Sequence, residues 1–344
     1  MPRPMPRAFL HIGLAKTGTK TLQGALLALE QPLRERGVHH LRTGRFGPQG
    51  GHHRIAWALR DAAHPRLGDY ELARTAAEVA RLRARGVDIV LTSEEFSLLA
   101  YSAAALGALD AMLEGFERVV VAYVREQATY FNSFYAELVK DLQTAERADA
   151  VIGRLRAEPR YHYADWMRPF AERFERLVVR PYERSVLRGG DVAADMLALI
   201  GAEDLAVPEG ELNVSPDPLQ IALYRRARAV LEARGQTEAT LPPEDWRAVK
   251  HAVDAHVKAR GKGHGTGYGT GYGTGRAFWG LDRPLLDSIR AQFAESNAAF
   301  LDRHAGGARF RERRPERNAL ALGDVPPEER RALLATVLRA LPGG

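Results

Sequence analysis

The stretch Phe9-Leu-His-Ile-Gly13-Leu-Ala-Lys16-Thr17-Gly18-Thr19-Lys20-Thr21-Leu22-Gln23 constrains this chain more than any other. A short apolar run breaks into a loop of glycine, threonine and lysine, then resumes with apolar residues at helical spacing, which reads as strand, loop, helix. Two glycines let the backbone turn tightly with its N–H groups facing inward. The helix that follows adds its unpaired N-terminal donors and the positive end of its dipole, and Lys16 adds a full charge. A loop of this make-up grips a phosphate or a sulfate.

The rest of the chain is long enough to support such a site. With 344 residues, 45% of them apolar, it can bury a sizeable core as one large α/β domain or two modest ones. The apolar stretches are strand-length and none approaches the ~20 residues of a membrane span, which leaves only peripheral association with a membrane. Residues Met1 to Arg7 are basic and broken by proline, without the apolar segment of a signal peptide, so the expected location is cytoplasmic. The absence of cysteine excludes disulfides, iron–sulfur clusters, thiolate zinc sites and thiol nucleophiles. A formal charge of +6 suggests anionic partners, but the excess is arginine spread along helical patterns, and it reads mainly as solvated helix faces rather than a nucleic-acid surface.

In chain order, a strand at about 8–12 feeds the loop, and a helix follows with Leu22, Ala25, Leu26 and Leu29 on one face, stopped by Pro32 and Gly37. A short strand is expected at 38–41. A glycine-rich connection, 44–51, leads to His52 and His53 at the start of a helix that carries Ile55, Ala56 and Leu59. The helix at 70–85 buries Leu72, Ala76, Val79 and Leu82. A strand at 87–92 ends in Ser93-Glu94-Glu95, and after a helix at about 103–116 the apolar run 118–124 reads as a strand covered on both faces, with Arg125 at its end. Strands alternating with helices of this length indicate βαβ units and a parallel sheet, in which ligands bind beyond the carboxyl ends of the strands. All three polar clusters fall there.

Residues 126–147 read as one long helix rich in aromatic side chains. A helix at 163–174 precedes a last strand, 177–183, that contains Tyr182, and 191–200 is a short capped helix. Two amphipathic helices at 218–234 and 243–260 flank a linker. The segment Gly261–Gly275 repeats Gly-Thr-Gly-Tyr and is expected to be a mobile loop, with a lid over an acceptor site as the functional alternative. A helix at 285–303, a basic stretch at 309–317 and a helix at 327–341 complete the chain.

The loop can be compared with two known patterns. A Walker A loop reads G-x-x-x-x-G-K-[ST]; Gly13 and Gly18 are so separated, but Thr19 stands where lysine should follow. Lys20 and Thr21 come one residue late, a rotation of about 100° on the helix. The loop resembles instead the 5′-phosphosulfate loop of the bacterial P-loop sulfotransferases, aliphatic-x-Lys-[Ser/Thr]-Gly-Thr-[Thr/Ser], which here is Leu14-Ala15-Lys16-Thr17-Gly18-Thr19-Lys20. Arg125 at a strand end with Ser133 eight positions later matches the pair with which that family holds the 3′-phosphate of its donor.

This resemblance covers roughly residues 8–200, with some support from Glu295–Leu301. It implies a three-layer P-loop α/β fold over 1–305, with a helical, glycine-rich insertion at about 206–280 and a basic tail at 306–344. It implies 3′-phosphoadenosine 5′-phosphosulfate (PAPS) as donor, adenosine 3′,5′-bisphosphate (PAP) as product, no required metal, and a hydroxyl or amine of a carbohydrate or small molecule as acceptor. Lys16 would serve the bridging and sulfuryl oxygens and the backbone of Gly18 to Lys20 the 5′-phosphate, with Thr17, Thr19, Lys20 and Thr21 in support. Tyr182 would line the nucleotide pocket. The family takes the acceptor proton with Glu or His. Glu94 is the first choice; Glu95 should point the other way on an extended backbone, and His53 and His52 are the second candidates. A carboxylate that caps the next helix is the competing reading of Glu94. At the level of the whole protein the competitors are a P-loop kinase or other nucleoside-triphosphate enzyme, and a non-catalytic anion-binding protein.

Overall fold

The computed structural model describes residues 5–208, 216, 218–237, 240, 242–261, 277–313, 315–320 and 326–340. Its strands are β1 (Arg7–His11), β2 (Val38–His40), β3 (Asp88–Thr92), β4 (Glu117–Val124) and β5 (Arg176–Pro181). Its α-helices are α1 (Thr19–Ala28), α2 (Glu30–Glu35), α3 (His53–Arg60), α4 (Leu72–Ala84), α5 (Ala103–Met112), α6 (Gln127–Lys140), α7 (Ala148–Leu155), α8 (Tyr163–Arg173), α9 (Val192–Leu199), α10 (Pro218–Ala233), α11 (Pro243–Gly261), α12 (Arg283–His304) and α13 (Pro327–Arg339). The chain divides into two compact units: Met1–Glu126 with Pro159–Glu211 and Phe293–Glu312, and Gln127–Glu158 with Leu212–Gln292 and Arg313–Gly344.

The first unit holds the sheet. Its order is β2-β3-β1-β4-β5 and every neighbouring pair is parallel. The chain fills one side of β1 with β2 and β3, then passes to the other side for β4 and β5, so the segments leaving β1, β3 and β4 emerge together at the carboxyl edge. Phe9, Val90, Val119, Val121 and Tyr123 line one sheet face, where Leu22 and Leu26 of α1, Leu33 of α2 and Val192, Met196 and Leu197 of α9 cover them. The alternate residues Ala8, Leu10, Leu91, Val120 and Ala122 are buried on the opposite face, and α4 and α8 pack on β3 and β5. Both faces are covered, giving the three-layer α/β arrangement, as the unbroken apolar run of β4 requires.

Three elements depart from the sequence reading. Pro32 does not stop the first helix; the break comes at Leu29, and Pro32 sits in the first turn of α2, where its missing N–H costs no helical bond. On α4 the buried stripe is Thr75, Val79 and Leu82, at i, i+4, i+7 spacing, which leaves Ala76 exposed and Leu72 half-buried; the Thr75 hydroxyl meets Tyr70 Oη at 2.7 Å. The helix expected over 126–147 ends at Lys140. Leu142 takes a left-handed φ of 56°, and the N–H groups of Leu142 and Gln143 return to the carbonyls of Val139 and Leu138 at 3.0 and 2.8 Å. That reciprocal closure satisfies carbonyls at the helix end, which then leaves α7 to start afresh.

In the second unit α10 packs against α6, α11 and α13. Asn132 of α6 clamps the segment after the repeat: its amide donates to the Phe278 carbonyl at 3.0 Å and accepts from the Gly280 N–H at 2.8 Å. The Gly-Thr-Gly-Tyr repeat beyond Gly261 lies outside the described residues. Among the described residues no helix is long and apolar enough to cross a membrane.

Candidate functional site

The loop begins where β1 ends. Ile12 still donates to Val121 of β4 at 3.0 Å, and the chain then turns through Gly13 to Gly18 into α1. Lys16 and Gly18 both take left-handed φ, 66° and 77°. For lysine that conformation costs on the order of 1 kcal/mol and is the kind of strain found at ligand loops. Thr17 and Thr19 are buried, and both hydroxyls donate to the Leu14 carbonyl, at 2.6 and 3.3 Å, so they brace the loop from within. Lys20 is exposed and Thr21 half-buried on the first turn of α1, where Gly18 at the N-cap supplies no side-chain bond to the helix N–H groups.

The two glycines are required for different reasons. At Gly18 the positive φ is joined by crowding: a Cβ would stand 2.8 Å from the Tyr182 ring and 2.8 Å from Val192. Gly13 carries no positive φ; its missing Cβ makes room for the His11 ring, whose Nε2 would be 2.6 Å away.

Two distant segments close on this loop. Arg125, just beyond β4, donates to the Lys16 carbonyl at 3.3 Å and lies 5.9 Å from the centroid of the Tyr182 ring. The Arg125 carbonyl in turn accepts from the Tyr163 hydroxyl. Tyr182, just beyond β5, is held by a 2.6 Å bond from its N–H to the Val124 carbonyl, and burial pushes its phenol pKa up. Lys16, Gly18, Arg125 and Tyr182 therefore form one group built from three strand ends. Ser133 is half-buried on α6 and belongs to the second unit.

A second polar group forms at the end of β3. Ser93 Oγ accepts from the Glu95 N–H at 3.1 Å, which caps the 3-10 helix Glu94–Tyr101, and it meets His53 Nδ1 at 2.7 Å. The Glu94 carboxylate accepts from Gln23 Nε2 at 3.3 Å and lies 4.0 Å from His53 Nδ1. A Cβ on Gly51 would fall 2.6 Å from Gln23 Nε2 and 2.7 Å from His53 Nε2, so glycine there lets both side chains close in. Gln23 is the residue that sequence reasoning missed. It projects from the buried face of α1, one turn beyond the loop, and a polar residue on that otherwise apolar stripe was the available signal. Through it the Glu94 carboxylate is tied to the helix that the loop feeds.

The other candidates take structural roles. Glu95 turns away and pairs with Arg60 at 3.6 Å. His52 is fully buried: Nδ1 accepts from the Thr92 N–H at 3.0 Å and Nε2 donates to the Leu41 carbonyl at 2.9 Å. Both nitrogens are committed to holding β2, β3 and α3 together, which leaves none for an acceptor proton. The side chains of Glu94 and His53, by contrast, remain 27% and 15% exposed.

Buried histidines also set an acid limit on stability. Burial lowers the pKa of His11 to about 3 and of His52 to about 4, and holds His40 well below the usual 6.5. A folded pKa below the unfolded value means that the unfolded chain binds more protons, so this stability is complete above pH 6.5 and drains as the pH falls toward 4. The slope approaches ~1.4 kcal/mol per pH unit for each histidine. Urea unfolding at pH 7.5, 6 and 5 should show the midpoint falling steadily; an unchanged midpoint at pH 5 would contradict the neutral, buried rings.

Comparison with protein-family models, with curated proteins and with solved structures finds no match to this chain.

Proposed function

We propose that this chain is a sulfotransferase that moves the sulfuryl group of PAPS to a hydroxyl or amine of a carbohydrate or small-molecule acceptor. The observation that carries this reading is the meeting of Lys16, Arg125 and Tyr182 around the loop, three residues far apart in sequence that the sulfotransferase resemblance assigns to one donor. PAPS supplies a sulfuryl group and a phosphate leaving group whose bridging oxygen takes the electron pair as the S–O bond breaks. The residues of the chain do the rest. The Lys16 ammonium offsets charge on the bridging and sulfuryl oxygens without a metal. The first N–H groups of α1 hold the 5′-phosphate, and the Arg125 fork holds the 3′-phosphate. The Tyr182 ring lines the nucleotide pocket beside Gly18 and Arg125. Glu94, oriented by Gln23, takes the proton as the acceptor atom bonds to sulfur, with His53 beside it as the alternative base. The basic surface favours an anionic acceptor, and the location that goes with this reading is the cytoplasm.

Calorimetric titration with PAP in the absence of metal, and separately with ATP and Mg²⁺, tests the proposal. The expected result is micromolar binding of PAP, weakened at least about tenfold, ~1.4 kcal/mol, in Lys16→Ala and in Arg125→Ala. Magnesium-dependent ATP binding with no affinity for PAP would overturn it in favour of a nucleoside-triphosphate enzyme. PAP binding indifferent to Lys16→Ala, with no acceptor turned over, would favour a non-catalytic anion-binding protein.

A further inference from the structure

His11 ends β1 beneath the loop and has no part in the chemistry above. Its side chain is fully buried. Nδ1 lies 2.8 Å from Thr92 Oγ1, on the strand position with which His11 is in register. Nε2 is buried as well and has no hydrogen-bond partner among the described residues. That nitrogen faces the loop, since the missing Gly13 Cβ would stand 2.6 Å from it and 3.3 Å from Thr17 Oγ1. The ring edge thus occupies the gap between the two ends of the loop. The nearby Tyr123 ring, 5.6 Å away between centroids, cannot complete it, because the Tyr123 hydroxyl is committed to Asp195 at 2.9 Å.

Buried ring nitrogens are nearly always paired, and one left open beside a strained loop asks for whatever completes it. Burial keeps the imidazole neutral to about pH 3, so the completing group must suit a neutral ring. A Thr92 hydroxyl that donates to Nδ1 leaves the proton on Nε2, which is then a donor that points at the loop.

We propose that His11 is an oxyanion-binding residue of the loop: when a phosphate or sulfate ester enters, the Gly13–Thr17 turn shifts off the ring and Nε2–H, set by Thr92, donates to an anion oxygen. A neutral donor adds a directed bond without a second full charge beside Lys16. The proposal rests on the reading that the loop binds an oxyanion, and it would give Gly13 and Thr92 their reasons.

Protein labelled with ¹⁵N in its imidazoles is titrated with PAP and, separately, with inorganic pyrophosphate, and calorimetry is run on His11→Asn and His11→Gln. Asparagine can keep the bond to Thr92 but does not reach the Nε2 position; glutamine does. The free protein should show the Nε2-protonated tautomer, and saturation should move that N–H proton downfield. Binding should weaken at least about tenfold in His11→Asn, ~1.4 kcal/mol, and stay within about threefold in His11→Gln. A proton on Nδ1, an Nε2–H signal unmoved at saturation, or wild-type affinity in His11→Asn overturns the proposal. If His11→Asn does not fold, the labelled wild type decides. Pyrophosphate binding without PAP binding sinks the PAPS reading alone and His11 is then judged on the pyrophosphate series; binding of neither sinks both.

Discussion

With Glu94 as the base of the sulfuryl transfer proposed above, Glu94→Gln is expected to lower that transfer by about 10²- to 10⁴-fold, the usual worth of a positioned general base, while PAP affinity changes by less than about twofold. Glutamine keeps the size of the side chain and can still meet Gln23, so the variant removes proton acceptance and little else. The carboxylate is also well placed to be separated from the donor group: its contacts are with Gln23 and His53, whereas Lys16 touches Arg125. Single-turnover transfer, measured once a screen has found an acceptor, distinguishes the outcomes. A full rate in Glu94→Gln together with a collapsed rate in His53→Gln would move the base to His53. A full rate in both would take the base out of this cluster altogether. Gln23→Ala should lose less than either, because it leaves the base present and only frees its orientation.

Gly18→Ala should be the most damaging single methyl group in the loop. The backbone φ of 77° costs an alanine on the order of 1–2 kcal/mol, and the new Cβ, 2.8 Å from both Tyr182 and Val192, adds overpacking of about 1–3 kcal/mol. The sum, roughly 2–5 kcal/mol, corresponds to a fall in melting temperature of roughly 5–15 °C for a unit of this size. Binding of PAP should fail as well, since the displaced Tyr182 ring carries Arg125 above it. Gly24→Ala is the internal control. It lies inside α1 with nothing among the described residues within 4 Å of a new Cβ, and there alanine should raise stability by roughly 0.5–1 kcal/mol. Thermal melts of the two variants with opposite signs would bear out the account of the loop. Equal, small shifts would contradict it.

Much of the architecture was legible in the sequence because a parallel sheet buries its strands on both faces. The runs at 8–12, 87–92 and 118–124 announce themselves as apolar stretches, and the polar residues that follow each must gather at one edge. The exceptions share a cause. Pro32 looks like a stop in the sequence, yet a first-turn proline breaks nothing, and the real break at Leu29 carries no proline or glycine signal. The long helix at 126–147 was cut by a left-handed leucine, a position where glycine is usual, so no residue type marked it.

The candidate site divides in the same way. Lys16, the loop and Arg125 could be found from spacing because their chemistry is local: a turn, a helix start, a strand end. His52 and His53 are adjacent and chemically identical, and only the folded chain separates them. One spends both nitrogens on Thr92 and Leu41, and the other keeps its ring beside Glu94. Gln23 and His11 looked like ordinary members of a helix stripe and a strand until β3 and α3 came alongside them.

By itself, then, the amino-acid order determined the strand–loop–helix at 9–23, the alternation of strands and helices, and the edge of the sheet where polar residues collect, because periodicity and turn chemistry act between neighbours in the chain. Only the tertiary structure decided that Tyr182 presses on Gly18, that Arg125 holds the Lys16 carbonyl, that Gln23 reaches Glu94 and that His11 is left with an open nitrogen. Those depend on hydrogen bonds and contacts between residues some 70 to 160 positions apart, and no local pattern encodes how a side chain's donors and acceptors will be shared once distant strands meet.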